Sequence, residues 1–362
     1  MRTPIYEWHK ENGGNIVDFH GWDLPLYYEG ILAEHMAVRK KVGIFDVSHM
    51  GDIVVTGPDA VSLMNTLLPS KIDAIQPGKC MYTAFLNESG FLIDDTIIYR
   101  VSNDTIFFVP NAATTDEVLE WLIRNSKQFN VKISNLSNDL ACFAVQGPES
   151  KAVANDLGIK FPEQFTFSFQ HDVYGGKNKI NGKNDLIVSG TGYTGEIGFE
   201  LIVDAESSNR WWNAAVDSIK QHGGMPCGLG ARDSLRMEKG MLLSGVDFNK
   251  DRDPYECSVS FIVEKKEGFI GSEALANRKN NDLEIFRGFI LDGKQIPRHG
   301  YIIYSDDRNV GTITSGSISP ILGKAIGLGF IDKKYMKNGN KVAIDIRGKR
   351  LDAMVSRPKI VP

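Results

Sequence analysis

Cysteine is scarce in this chain: of 362 residues only Cys80, Cys142, Cys227 and Cys257 carry a thiol, and no two of them form a CxxC pair. That excludes a disulfide framework and a zinc knuckle, and leaves reduced cysteines packed in a core as the expectation. Long apolar runs are missing as well. Nothing approaches the roughly 20 residues of a membrane span. The first residues, Met1-Arg-Thr-Pro-Ile-Tyr6, show neither a signal h-region nor an Arg- and Ser-rich transit stretch. A cytoplasmic protein without membrane association is expected. There is no excess of positive charge, since 41 Lys and Arg stand against 45 Asp and Glu for a formal charge of −4. Without a basic field, no nucleic-acid partner is expected. His20, His35 and His49 lie in different segments and no HExxH occurs, so no metal site is expected. A GxSxG elbow is also absent. Asp46, Ser48 and His49 crowd within four residues on a probable strand, which is no arrangement for a hydrolytic triad.

What the chain does have is the composition of a soluble globular protein, 42% apolar and 24% charged, at a length that calls for two or three domains. A pattern also repeats. Gly51-Asp-Ile-Val-Val-Thr-Gly-Pro58 reads as a strand that breaks at Gly-Pro into a helix from Asp59 to Leu68, and Ala141-Cys-Phe-Ala-Val-Gln-Gly-Pro148 does the same into a helix from Glu149 to Leu157. Further on, strand Ile106 to Val109 feeds a helix containing Trp121, and strand Phe199 to Val203 feeds one containing Trp211 and Trp212. The offset is about ninety residues each time. Two strand–helix–strand–strand–helix units are the expectation, each with its helices on one face of an antiparallel sheet. From about Phe286 the helical period gives way to short strands between Gly, Asp and Asn, which predicts a small all-β barrel or jelly roll.

Residues Gly190-Thr-Gly-Tyr-Thr-Gly-Glu-Ile-Gly-Phe-Glu200 spell the dinucleotide fingerprint GxGxxG. A phosphate-binding loop needs a strand before it and a helix N-terminus after it. Here Leu186 to Ser189 enters as a strand, but Glu196 to Val203 leaves as another. Alternation puts Ile197, Phe199, Leu201 and Val203 on one face and Glu200 on the other. The segment is expected to be a hairpin presenting Tyr193 and Glu200.

Phe91-Leu-Ile-Asp-Asp-Thr-Ile-Ile-Tyr99 reads as a strand in which Asp94 lies with Leu92, Thr96, Ile98 and Arg100, while Asp95 falls among Phe91, Ile93, Ile97 and Tyr99. A carboxylate on an apolar face needs a partner, because burying it alone costs several kcal/mol. Asp95 is thus either a structural acid bonded to a nearby turn or an acid that binds or activates a cationic or N–H-bearing ligand. Arg232, in the first turns of a helix after Cys227-Gly-Leu-Gly-Ala, opposes the helix dipole. It is either paired on the surface with Asp233 or Glu238, or held by a specific acceptor.

Taken together, Asp18-Phe-His-Gly-Trp22, Gly43-Ile-Phe-Asp-Val-Ser-His-Met-Gly51, Ile93-Asp-Asp95, the Ser189 to Glu200 segment, Cys227-Gly-Leu-Gly-Ala-Arg-Asp233, Pro297-Arg-His-Gly-Tyr301 and Ser315 to Lys324 closely resemble the aminomethyltransferase family, the T-proteins of the glycine cleavage system. The resemblance runs collinearly over essentially the whole chain. It implies an α+β fold of three lobes: 1–50 with 140–280, 51–139, and a C-terminal β-barrel over 281–362. It implies an enzyme that moves the one-carbon unit from the aminomethyl-lipoyl arm of H-protein to tetrahydrofolate and releases ammonia, without a metal. Asp95 matches the family's catalytic acid, and Tyr82, Asn111, Tyr193, Glu200 and Arg232 match positions around the folate. The alternative from the same superfamily is a tetrahydrofolate-dependent demethylase of a small N-methyl or S-methyl compound. A non-catalytic folate binder is a third class, against which the retained Asp95 speaks. The chain departs from the family pattern at Pro69-Ser-Lys71, Thr114, Leu243-Ser-Gly245 and the tail Pro358 to Pro362. Those departures bear on the donor more than on the folate.

Overall fold

The chain opens with a short helix, α1 (Tyr6–Glu11), a hairpin of β1 (Ile16–Phe19) and β2 (Trp22–Pro25), helix α2 (Ile31–Lys40) and strand β3 (Gly43–Asp46). The computed structural model describes residues 1–265, 267–278 and 283–362. These divide into two units, 1–83 with 94–232 and 84–93 with 233–362. The expected boundary at 280/281 lies outside the described residues.

Both Gly-Pro steps end a strand and lead into a helix. β4 (Ile53–Thr56) leads to α3 (Ala60–Leu67), then β5 (Cys80–Leu86), β6 (Leu92–Arg100), β7 (Thr105–Val109), α4 (Thr115–Asn125) and β8 (Lys132–Asn135). β9 (Leu140–Gln146) leads to α5 (Ser150–Asp156), then β10 (Phe167–His171), β11 (Asp185–Ser189), β12 (Gly198–Asp204) and α6 (Ser208–Gln221), followed by β13 (Met225–Pro226) and α7 (Leu229–Glu238). Gly57 and Gly147 turn with φ of 127° and 129°, and a Cβ at either would meet backbone, Asn130 O at 2.4 Å or Lys41 O at 2.5 Å. Glycine is required at both breaks.

Each repeat carries two strands more than the sequence pattern suggested: β5 and β10, which lack a clean alternation, and the short β8 and β13 that follow the second helix. The correspondence extends to strand order over four strands, β5-β6-β7-β4 and β10-β11-β12-β9, after which the first sheet ends in β8 and the second in β3-β13. The two-residue edge strand β13 runs parallel to its neighbour β3. In the second sheet Ile44, Phe143, Val145, Val188, Phe199, Leu201 and Val203 form one face, packed against Val153 of α5 and Trp211, Trp212, Ala215 and Ile219 of α6. Each of the fully buried aromatics contributes on the order of 2–3 kcal/mol by the area it removes from water. Asp46 is also on this face, where His9 Nε2 bonds its Oδ2 at 2.9 Å and Ser48 Oγ donates to Oδ1 at 2.6 Å. Ser48 and His49 lie in the turn after β3 rather than on a strand.

The second unit holds α8 (Ser272–Arg278) and six strands, β14 (Glu284–Leu291), β15 (Ile302–Ser305), β16 (Arg308–Ser319), β17 (Lys324–Asp332), β18 (Lys341–Ile346) and β19 (Lys349–Ser356). They close into a barrel in the order β14-β17-β16-β15-β18-β19 around Phe289, Ile303, Ile313, Ile331, Ile344 and Val355. The architecture is therefore α+β with antiparallel sheets and a closed C-terminal β-barrel. Among the described residues no helix is long and apolar enough to cross a membrane.

Candidate active site

Strand β6 carries two adjacent acids, and both of its faces are buried: Leu92 and Ile98 are as enclosed as Ile93 and Tyr99. Alternation alone therefore does not single out Asp95. Asp94 is the more buried of the two, at 0% exposure against 9%. The main-chain N–H of Asn111 donates to Asp94 Oδ2 at 2.9 Å and its Nδ2 to Asp94 Oδ1 at 2.8 Å, so Asp94 has the structural task of holding the Pro110-Asn111 turn. Asp95 is held differently. Tyr82 Oη donates to its Oδ2 at 2.8 Å and Asn111 Nδ2 to its Oδ1 at 2.9 Å. Two donors from two segments fix the rotamer of this carboxyl group.

The glycine-rich segment is a hairpin, with Ser189 of β11 opposite Glu200 of β12. Its exit strand starts at Gly198 rather than Glu196, and Ile197 falls outside it with 56% exposure. Gln146, fully buried at the end of β9, lies beneath the hairpin. Its Nε2 donates to Thr191 O at 3.1 Å, and Thr194 Oγ1 donates to its Oε1 at 2.8 Å. A Cβ on Gly192 would meet Gln146 Oε1 at 2.0 Å. Gly192 thus makes room for a glutamine side chain, whereas a Cβ on Gly190 would meet Glu163 O at 2.0 Å.

Cross-strand register sets what the hairpin presents. Phe167, Ser189, Glu200, Ala144 and Phe45 stand in one row across five strands, on the face opposite the helices. Cys142 and Ile202 form the next pair on that face. Thr191 Oγ1 donates to Glu200 Oε2 in a short hydrogen bond. Although Glu200 keeps some accessible surface, burial raises its pKa, opposed by the Thr191 bond and by Arg232. The Arg232 guanidinium carbon lies 4.5 Å from the centre of the Tyr193 ring. Burial lowers its pKa, while Tyr193 and Glu200 favour the charge. Arg232 is thus not a surface arginine bound to Asp233. That acid pairs with Arg236, whose guanidinium is 1% exposed and also bonds Asp247 at 2.7 Å and Ser315 at 2.9 Å.

Tyr99 connects the two groups of residues. It shares a face of β6 with Asp95, and its Oη approaches Thr191 Oγ1 to 3.4 Å. The turn after β3 makes a second connection. Val47 N–H donates to Cys142 O at 2.9 Å, Cys142 N–H to Ser48 Oγ at 3.0 Å, and Gly51 N–H to Pro110 O at 2.9 Å. The structure therefore places all six sequence-derived candidates, Tyr82, Asp95, Asn111, Tyr193, Glu200 and Arg232, in the unit 1–83 with 94–232. Asn111 spends its amide on the two acids, so its first effect is to place Asp95.

Sequence reasoning missed Thr191, His49 and Asp52. Thr191 was hidden inside a motif read for its glycines. His49 and Asp52 each have a buried atom, Nδ1 and Oδ1, with no hydrogen-bond partner among the described residues. Burial and Arg232 push His49 down to about 4, and burial together with Glu200 pushes Asp52 up to about 8. Spacing carries no signal for either. All four cysteines are buried, and burial pushes Cys80 up to about 12 and raises the other three.

Two family models match the chain: the GCVT N-terminal domain over residues 5–267 and the glycine cleavage T-protein C-terminal barrel domain over residues 286–361. An aminomethyltransferase of Thermotoga sp. (strain RQ2) is 40% identical over 350 residues, which cover 97% of this chain and 94% of that protein. The aminomethyltransferase of Caldanaerobacter subterraneus subsp. tengcongensis is 38% identical over 356 residues, 98% of this chain and 94% of that protein. Among solved structures, glycine cleavage system aminomethyltransferase T from Bartonella henselae superposes with a TM-score of 0.91 at 27% identity, covering 100% of this chain and 98% of that one.

Proposed function

The chain belongs to the family of glycine cleavage T-proteins, and from that membership we propose that it is an aminomethyltransferase acting with tetrahydrofolate as co-substrate and lipoylated H-protein as donor. The observation that carries the site assignment is the carboxyl of Asp95, fixed by Tyr82 and Asn111 in the same unit as Glu200, Arg232 and Tyr193. Tetrahydrofolate, when bound, supplies the nitrogen atoms that take up the one-carbon unit. The donor set suits such a heterocycle. Glu200, whose partners in the chain are Thr191 and the charge of Arg232, accepts a pair of adjacent N–H groups. Tyr193, braced from one side by Arg232, offers an aromatic wall with a polar tip. Unsatisfied buried polar atoms in the β3–β4 turn, at His49 and Asp52, argue for a polar occupant.

Asp95 is the catalytic residue in this proposal. A carboxyl held at a set angle stabilises positive charge that develops on nearby nitrogen, and because its donors are already in place it needs no rearrangement to do so. Tyr82 and Asn111 position it. The relatives are aminomethyltransferases, which favours this reading over demethylation of a small methyl compound. A cytoplasmic location, the absence of a nucleic-acid or membrane partner and the partition into lobes 1–50 with 140–280, 51–139 and 281–362 belong to the same proposal. Incubation with aminomethylated H-protein and tetrahydrofolate tests it: ammonia and methylenetetrahydrofolate are expected in equal amounts. Asp95→Ala is expected to abolish that turnover while tetrahydrofolate affinity is largely kept. Demethylation of a small donor with no turnover of H-protein would overturn the proposal.

A further inference from the structure

The turn between β3 and β4 is tied to both halves of the candidate site. At Val47 and Ser48 it bonds Cys142, next to Glu200 on the same sheet face, and at Gly51 it bonds Pro110, which precedes Asn111. The next residue is Asp52, 3% exposed. Its main chain is fully used: the N–H donates to Ser137 Oγ at 2.9 Å and the carbonyl accepts from Leu136 N at 2.7 Å. Yet its side-chain Oδ1 has no partner among the described residues, and neither has Nδ1 of His49 on the same turn, which is 4% exposed. Leaving two such atoms unsatisfied costs on the order of kilocalories each, unless something else meets them.

We infer that Asp52 is a further ligand-positioning residue of this site, its carboxyl giving a hydrogen bond to an acceptor atom of the heterocycle whose N–H groups Glu200 holds. The inference rests on the folate reading above. Its chemistry follows from a buried carboxyl group that feels the charge of a second one, Glu200. A carboxyl beside a carboxylate presents one donor among acceptors, which fits a heterocycle edge where N–H groups adjoin a carbonyl; two carboxylates would repel that carbonyl. With its pKa raised to about 8 by burial and by Glu200, Asp52 keeps its proton at neutral pH and can donate.

The titratable groups linked to it are Glu200 from β12 and Cys142 from β9, while Arg232 from α7, Asp46 from β3 and His20 act on His49 of the same turn. Of these, His49 stays neutral above about 4, and the Cys142 thiol is raised well above its ordinary value. The carboxyl of Asp52 loses its proton within the range pH 7 to 9. Ionisation removes the donor and adds a second negative charge beside Glu200. Affinity for the ligand accordingly falls as pH rises through about 8.

The test is the dissociation constant of tetrahydrofolate, measured anaerobically by calorimetry from pH 6.5 to 9. The unaltered chain is expected to weaken by about tenfold between pH 7 and 9. Asp52→Asn keeps an N–H donor and is expected to bind within about threefold of the unaltered chain at pH 7, with the pH dependence gone. Asp52→Leu is expected to bind about tenfold more weakly throughout. A flat affinity from pH 7 to 9 in the unaltered chain, or a decline that persists in Asp52→Asn, overturns the role of Asp52 and leaves the folate reading standing. No binding of tetrahydrofolate at any pH overturns both.

Discussion

Asn111 Nδ2 lies 2.9 Å from Asp95 Oδ1, and also within reach of Asp95 O at 3.0 Å. The same nitrogen serves Asp94 Oδ1 at 2.8 Å, so its two hydrogens are shared among three oxygens. Every acceptor around it is a carboxylate or carbonyl oxygen, which fixes the orientation of the amide. A substituted residue that cannot donate leaves Asp95 with Tyr82 alone of these two donors and removes the link between the two acids. Asn111→Ala is therefore expected to lower the rate of methylenetetrahydrofolate formation by about 10- to 100-fold, as loss of a supporting contact does at other reacting centres. Tetrahydrofolate affinity should move by less than about fivefold. Equal losses in rate and affinity would show that Asn111 holds the ligand rather than the acid.

The placement of Arg232 over Tyr193 makes a second prediction. An exposed cation–π pair contributes about 0.5–1 kcal/mol, and a desolvated one about 2. Arg232→Lys retains charge but loses the planar stack, so tetrahydrofolate affinity should fall by about tenfold. Arg232→Gln should fall further, because the Glu200 carboxylate then loses its opposing charge. Thermal stability tells the two roles apart: a large drop in Tm with unchanged affinity would make Arg232 a packing residue.

Gly192 is expected to tolerate no side chain while Gln146 lies beneath it. Gly192→Ala places a Cβ on Gln146 Oε1 and should displace the Thr191 and Thr194 contacts, destabilising the chain by about 1–3 kcal/mol in urea unfolding. Gln146→Ser in the same chain should recover part of that loss by vacating the space. A double variant no better than the single one would mean that the hairpin backbone, rather than the glutamine, excludes the methyl group.

The two shifted groups of the β3–β4 turn act on stability at opposite ends of the pH range. Folded Asp52 keeps a proton that the unfolded chain loses above about 4, so its contribution is complete below that pH and is lost as pH rises through about 8. Folded His49 refuses a proton that the unfolded chain takes up below about 6.5, so its contribution is complete above that pH and is lost as pH falls through about 4. Chemical denaturation between pH 5 and 8 should therefore show a shallower decline on the alkaline side for Asp52→Asn than for the unaltered chain. Parallel curves would contradict the raised pKa of Asp52.

The sequence showed most of the fold because its signals are local. Gly-Pro at 57–58 and 147–148 forces a strand to end and a helix to follow wherever the rest of the chain lies. The six barrel strands were visible from alternation and turn residues. β5 and β10 were not, since strands with mixed burial show no clean period. The hairpin at 186–204 was legible for the same reason as the barrel, although the purpose of its glycines was not. Gln146 is more than forty residues away in the chain, and only folding brings it under Gly192.

The candidate site divides along the same line. The sequence by itself determined which side chains were available: an acid pair on a strand, a tyrosine and a glutamate on a hairpin, an arginine at a helix start. Only the tertiary structure decided what each of them does. It gave Asp94 to the Asn111 turn and Asp95 to Tyr82 and Asn111, placed Arg232 on Tyr193 while Arg236 took the buried Asp247, and enclosed Asp52 where it feels the charge of Glu200. The physical reason is that periodicity fixes the face a residue occupies, whereas hydrogen-bond partners and proton affinities depend on desolvation and on charges brought close from distant segments.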